Sequence, residues 1–256
     1  MEQARTGLLS GSGLKRIAIA SMLLDHTGYV LVWEAYLSAG GAAQAGMWYG
    51  LYTLLRMAGR LAFPIFCFQL TEGFFHTHSR RRYALRLGLF ALASEVPFDL
   101  AFRGALWDGS YQNVFFTLLL GLLALWGWET LARRLPRWAR WPAALPPLLL
   151  CAAAAEWLAT DYGAFGVTLI LVLGVSRDAE RSAGGQELRL PSALPGALVI
   201  LIYCFLENNW IEIVAVLGLE LTLLYNGQRG RGSRWGFYLF YPAHLLVLVG
   251  LRALMF

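Results

Sequence analysis

The chain has 256 residues, of which 58% are hydrophobic and 14% charged, with a formal net charge of +5. Average soluble proteins run at about 45–50% apolar and about 25% charged. With ten Trp, eleven Tyr and fifteen Phe besides, there is too little polar surface to clothe a water-soluble globule, which excludes a cytosolic enzyme, a disordered tail, a coiled coil and a secreted disulfide scaffold.

A helix needs about 20 mainly apolar residues to cross a bilayer. Runs between charged clusters predict about nine spans, at 14–34, 51–76, 83–101, 111–131, 143–159, 162–176, 191–207, 210–226 and 235–255. Pro146, Pro147 and Pro195 interrupt the short fifth to seventh runs, so eight spans also fit. No run alternates in the manner of a porin strand. The expected fold is an all-α polytopic transmembrane helix bundle, a single domain over residues 1–256. The first run contains Asp25-His26 and lacks a small-residue cleavage site, so it reads as a span rather than a cleavable signal.

The basic residues orient this threading. Of 21 Lys and Arg, 17 fall at one set of alternate loops and helix ends: Arg5, Lys15 and Arg16; Arg80, Arg81, Arg82 and Arg86; Arg133, Arg134, Arg137 and Arg140; Arg177, Arg181 and Arg189; Arg229, Arg231 and Arg234. By the positive-inside rule that side, with the N-terminus, is cytoplasmic. The basic excess is thus a topology signal, and the expected large partner is the lipid bilayer, not nucleic acid. Cys67, Cys151 and Cys204 show no CxxC or Cys/His spacing and read as free thiols.

Ionisable groups at membrane depth need a partner, a wet cavity or a function. His26 lies roughly 15 Å along its helix from Lys15, near the midplane. An imidazole there suits a base or nucleophile near neutral pH; a hydrogen bond tying two helices together is the plainer role. Asp25 projects about 100° away from His26 on a helix, so a simple Asp25–His26 dyad is poor, and Asp25 can instead satisfy an arginine. Arg56 and Arg60 share a face ahead of Pro64, which is expected to kink the helix. Arg60 suits a carboxylate or phosphate, and Glu95 falls at comparable depth as an ion-pair partner.

Glu72 and His76, also four residues apart, sit beside His78 and Arg80–Arg82 as the lining of a cytoplasmic mouth for an anionic metabolite. The Glu95-Val96-Pro97-Phe98-Asp99 segment is expected to break the third span near its outer end. Gln112-Asn113 and Asp161-Tyr162-Gly163 suggest an external vestibule, and Tyr241-Pro242-Ala243-His244 puts a second histidine near mid-membrane. No HExxH or comparable spacing accompanies His26 and His244, so no metal is expected.

Several of these segments, in order, resemble the TraX family. They are Met22…Asp25-His26-Thr27-Gly28, Gly59-Arg60-Leu61-Ala62-Phe63-Pro64, Glu72-Gly73-Phe74-Phe75-His76, Ser94-Glu95-Val96-Pro97-Phe98-Asp99, Asn113-Val114-Phe115-Phe116-Thr117, Asp161-Tyr162-Gly163 and Tyr241-Pro242-Ala243-His244-Leu245. The 177–190 loop is a longer hydrophilic insert than the family pattern has. The resemblance implies a multispanning protein of the bacterial inner membrane linked to N-terminal acetylation of pilin. It further implies kinship with transmembrane acyltransferases that use a first-helix histidine after a basic residue, as His26 follows Lys15. On that reading acetyl-CoA is the co-substrate, and a peptide or small amine is the acceptor. Its phosphates dock on Arg80–Arg82 and Arg86, and His26 is base or transient acyl carrier. Arg60, with Asn113, steadies the thioester oxygen, while Asp25 or Glu95 orients His26 or holds Arg60. A proton-coupled transporter and a non-catalytic assembly factor for a membrane or pilus subunit are the alternatives.

Overall fold

The structure, a computed structural model, describes residues 7–182, 190–232 and 234–256; among these the chain is helical and holds no β-strand. The α-helices are α1 (Gly11–Thr27), α2 (Trp33–Leu37), α3 (Ala42–Gly59), α4 (Ala62–His76), α5 (Arg80–Phe102), α6 (Val114–Ala132), α7 (Leu145–Trp157), α8 (Gly163–Ser182), α9 (Leu190–Leu206), α10 (Ala215–Leu223) and α11 (Arg234–Met255). Three stretches are long and apolar enough to cross a membrane: Ala42–His76, Val114–Ala132 and Trp235–Met255. Pro142–Trp157 and Ala193–Leu206 are shorter apolar helices. These are the helices of a membrane protein. Arg5 and residues 183–189 of the 177–190 insert, Arg189 among them, lie outside the described residues, and α8 carries the start of that insert on to Ser182 as helix.

The helices group into two compact units. The first contains the chain up to Ile65, Ser94–Asp108 and Asn209–Phe256. Its first helix begins before the predicted boundary because the Ser10 side chain caps it, accepting the Gly13 N–H at 3.2 Å. One residue beyond His26 it passes into a π-helical segment, Gly28–Val32, then into α2. Such wide turns often mark functional positions. Here it coincides with close packing on α3, since a Cβ at Gly28 would lie 3.1 Å from Leu55 Cβ.

Two proline expectations are corrected. The second span is broken rather than merely kinked, α3 ending at Gly59 and α4 starting at Ala62. Pro64 offers no N–H to the Arg60 carbonyl and its ring crowds that position, so the ladder opens at Arg60–Leu61. Pro97, by contrast, does not end its helix, and α5 runs on to Phe102. Ser94, Glu95, Phe98 and Asp99, on both sides of the proline, are buried. The end of α5 is then closed by Arg252 of α11, which donates to the Leu100 and Ala101 carbonyls at 2.7 and 3.0 Å.

The second unit, Phe66–Ala93 with Gly109–Asn208, is built on α6. Gly121 and Gly174 receive the side chains of Ile170 and Leu125, so α6 and α8 approach closely over buried Leu122 and Leu169. The expected external vestibule is instead closed capping chemistry. Asn113 Oδ1 accepts the Phe115 N–H at 3.0 Å and its Nδ2 donates to the Ala91 carbonyl at 2.8 Å. Tyr111 donates to Asp161 at 2.9 Å, and Glu156 accepts the Ala164 N–H at 2.6 Å where α8 begins.

In the first unit α10 lies directly on the α3–α4 break. A Cβ at Gly218 would stand 2.7 Å from both the Leu61 carbonyl and Pro64 Cγ, groups with no freedom to move aside. Gly218→Ala is therefore expected to lower stability by about 1–3 kcal/mol, read as a fall in the thermal midpoint of the detergent-purified protein. Gly250→Ala, where the added methyl meets nothing within 4 Å, is expected to leave the midpoint unchanged or raise it.

Candidate functional site

The α3–α4 break leaves carbonyls at the end of α3 without helical partners. Ser21 on α1 meets two of them, its hydroxyl lying 2.6 Å from the Ala58 oxygen and 3.0 Å from the Gly59 oxygen. One turn further along the same face, Asp25 takes Arg56 Nη1 at 2.7 Å and Arg60 Nη2 at 2.6 Å on its two carboxylate oxygens. Arg60 also donates through Nη1 to Glu212 and through Nε to the Arg56 carbonyl, the latter at 3.2 Å. Asp25, Arg60 and Glu212 are all buried. Gly59 makes room for this, since a Cβ there would collide with the Asp25 carboxylate. Two carboxylates thus balance two guanidinium groups, and the cluster pins α1, α3 and the 3₁₀ turn Trp210–Val214 together.

The next residue on α1 faces another helix. His26 Nδ1 lies 2.7 Å from His244 Nε2 on α11, and His244 Nδ1 lies 2.8 Å from the Phe240 carbonyl. The two imidazole planes are 8° apart with centroids 4.9 Å apart. Parallel rings stacked face to face keep roughly 3.5 Å between planes, so a 2.7 Å nitrogen separation means the rings lie side by side and the bond runs in their shared plane. Phe102 stands edge-on to His26 at 5.3 Å, and Tyr241 at 6.0 Å. Both histidines are buried, His26 keeping 9% exposure. The result is a polar pair with aromatic walls. Among the described residues no three His, Cys, Asp or Glu side chains gather as a metal-binding set.

Several expected roles are corrected. Of the two roles expected of Asp25, holding an arginine is the one seen: its carboxylate is occupied by Arg56 and Arg60, and His244 meets the His26 imidazole. Arg60 is held by Asp25 and Glu212 as a tie between helices. Asn113 is engaged as the cap of α6, with its amide used at both ends. Glu72 does not line an open mouth: it is buried and pairs with Arg177 at 2.8 Å, while exposed His76 bonds back to the Glu72 carbonyl at 2.8 Å. Arg80 is bound by Glu129 at 2.6 Å and sits 4.4 Å over Phe74, and Arg86 lies 5.5 Å over Tyr83. Arg81 and Arg82 are exposed. Lys15 is half-buried, its ammonium 5.3 Å over Phe237. Glu95 is buried on α5 in the first unit.

Sequence reasoning passed over Glu212, Phe102 and the Phe240 carbonyl. Glu212 carried a usable signal, as one of two acids, with Glu220, inside the apolar 210–226 run. The other two carried none, because an aromatic wall and a backbone oxygen are invisible until the helices meet.

Truncating one partner of a buried ion pair leaves an uncompensated charge, at about 3–5 kcal/mol. Asp25→Ala and Arg60→Ala are each expected to lose that much stability, and the double variant to lose less than the sum. Thermal unfolding of the four proteins checks this, and strict additivity would show that the cluster is not coupled.

The comparisons with known proteins agree on one grouping. Residues 10–252 match the family described as "TraX protein". A curated relative from Dichelobacter nodosus, "Probable fimbrial assembly protein FimC, serogroup H1", is 32% identical over 254 residues, covering 92% of this chain and 92% of that protein. No solved structure matches. With the matched segment taking in both histidines and every member of the ion cluster, the chain belongs to the TraX protein family.

Proposed function

We propose that the protein is a membrane-embedded acyltransferase of the bacterial inner membrane that moves an acetyl group from cytosolic acetyl-CoA to an amine. The acceptor we favour is the N-terminal amine of a fimbrial or pilin subunit. A bundle of about nine spans with a cytoplasmic N-terminus places the basic helix ends on the side of the acyl donor. The single observation that supports the reading most is the imidazole pair, His26 with His244, buried between aromatic walls where a hydrocarbon contact would be the stable choice. Polar groups kept in such surroundings are functional by default.

In the reaction the acceptor amine attacks the thioester carbon, a C–N bond forms and the C–S bond breaks. His26 takes the proton from the amine and returns it to the departing sulfur, so that acetyl-CoA and the amine become an amide and free CoA. The alternative of a transient acetyl-imidazole on His26 uses the same nitrogen. The ion cluster supplies rigidity: with Asp25 fixed by two guanidinium groups, the neighbouring His26 is held towards α11.

The relative's description as a fimbrial assembly protein also favours a second reading, a non-catalytic factor that escorts a pilus subunit. Labelled acetyl-CoA and a fimbrial N-terminal peptide, incubated with the purified protein, separate the two. We expect label in the peptide with the wild type and none with His26→Ala at an unchanged thermal midpoint. A fully active His26→Ala protein would remove the histidine from the reaction, and a wild type that binds no acyl-CoA would leave the assembly reading.

A further inference from the structure

We infer that His244, anchored by the Phe240 carbonyl, sets the tautomer of His26 and leaves His26 Nε2 as the single basic nitrogen of the pair. The inference follows from counting hydrogens along the chain of contacts. A carbonyl oxygen only accepts, so the 2.8 Å contact from Phe240 requires the hydrogen to be on His244 Nδ1. A neutral imidazole carries one such hydrogen, so His244 Nε2 presents a lone pair. The 2.7 Å bond to His26 then requires the hydrogen to be on His26 Nδ1. His26 has no second hydrogen, and its Nε2 holds a lone pair. An additional proton on the pair has only that nitrogen to go to, because an N–H facing an N–H at hydrogen-bond distance is repulsive. Among the described residues no group hydrogen-bonds to His26 Nε2.

Local geometry holds the line in place. The Phe240 carbonyl receives the imidazole of the residue four positions on along α11. Phe240 and His244 rings lie nearly parallel, 9° apart with centroids at 4.8 Å, which fixes the ring plane. Tyr241, edge-on to both imidazoles at 6.0 and 5.7 Å, closes the same side. The arrangement is a carbonyl–imidazole–imidazole line with one open end. Resting on the acyltransferase reading, it makes His26 Nε2 the atom that removes the amine proton or receives the acetyl group. His244 is a positioning residue whose Nε2 accepts the His26 Nδ1–H.

The test uses the full chain in detergent, labelled with ¹⁵N-histidine, and long-range proton–nitrogen correlation to read which ring nitrogen of His26 carries hydrogen. His26→Ala identifies its signals among those of the four histidines. The wild type is expected to show His26 protonated on Nδ1. His244→Gln, whose amide oxygen can still accept, is expected to keep that tautomer, and His244→Leu to move the hydrogen to Nε2. In the labelled acetyl-CoA assay the Gln variant should stay within about threefold of wild type and the Leu variant fall at least about tenfold. Hydrogen on Nε2 in the wild type, or an Nδ1 tautomer untouched by His244→Leu, would overturn the inference. Because the Gln variant tests the acceptor with a polar side chain, unfolding of the Leu variant leaves the question decidable. A wild type with the expected tautomer but no transfer sinks the acyltransferase reading alone.

Discussion

Arg60 stands where the chain can least tolerate an unpaired cation, at the opening of a helix ladder inside an apolar stretch. A guanidinium at the centre of a bilayer is disfavoured by about 2.5–3.5 kcal/mol even on lenient scales. Its pairing with Asp25 and Glu212 removes that penalty only while three separate elements stay in register. The remaining geometry of the first unit follows. Proline opens the ladder at Arg60, the open carbonyls draw in Ser21, and Gly218 lets α10 settle on the break. Glu212, just ahead of α10, is thereby delivered to the guanidinium.

Two consecutive residues of α1 are tied to different helices. Asp25 is committed to arginines, and His26, turned by about 100° on the helix, is committed to His244. His26 meets a second imidazole, which is itself held by a main-chain carbonyl. A neutral partner suits this location, since it introduces no additional charge into the apolar interior. It also makes the direction of hydrogen bonding along the line unambiguous. The following π-helical segment widens the turn where α1 packs on α3, so α1 serves both helices at once.

The second unit is tied by polar pairs of its own. Its polar groups are paired among themselves: Glu72 with Arg177, Glu129 with Arg80 and Arg133, Asn113 with the start of α6. Residues that look available in one dimension are in use in three. Their sequence pattern cannot distinguish a cap from a ligand, because Asn before a helix and Asn in an oxyanion hole offer the same amide.

What the sequence determined by itself is the membrane character, the helical class and the ionisable residues set inside apolar runs. Composition, run length and charged residues inside apolar runs are local quantities, so Asp25, His26, Arg60 and His244 stood out before any fold was known. So did the divergence of Asp25 from His26, which follows from helical pitch alone. Tertiary structure decided the pairings. The partner of Arg60 depended on which of several acids the packing brought within reach. Likewise the approach of α11 to α1 selected His244 and the Phe240 carbonyl, because hydrogen bonds across helices are fixed by distance in space and leave no periodicity in the chain.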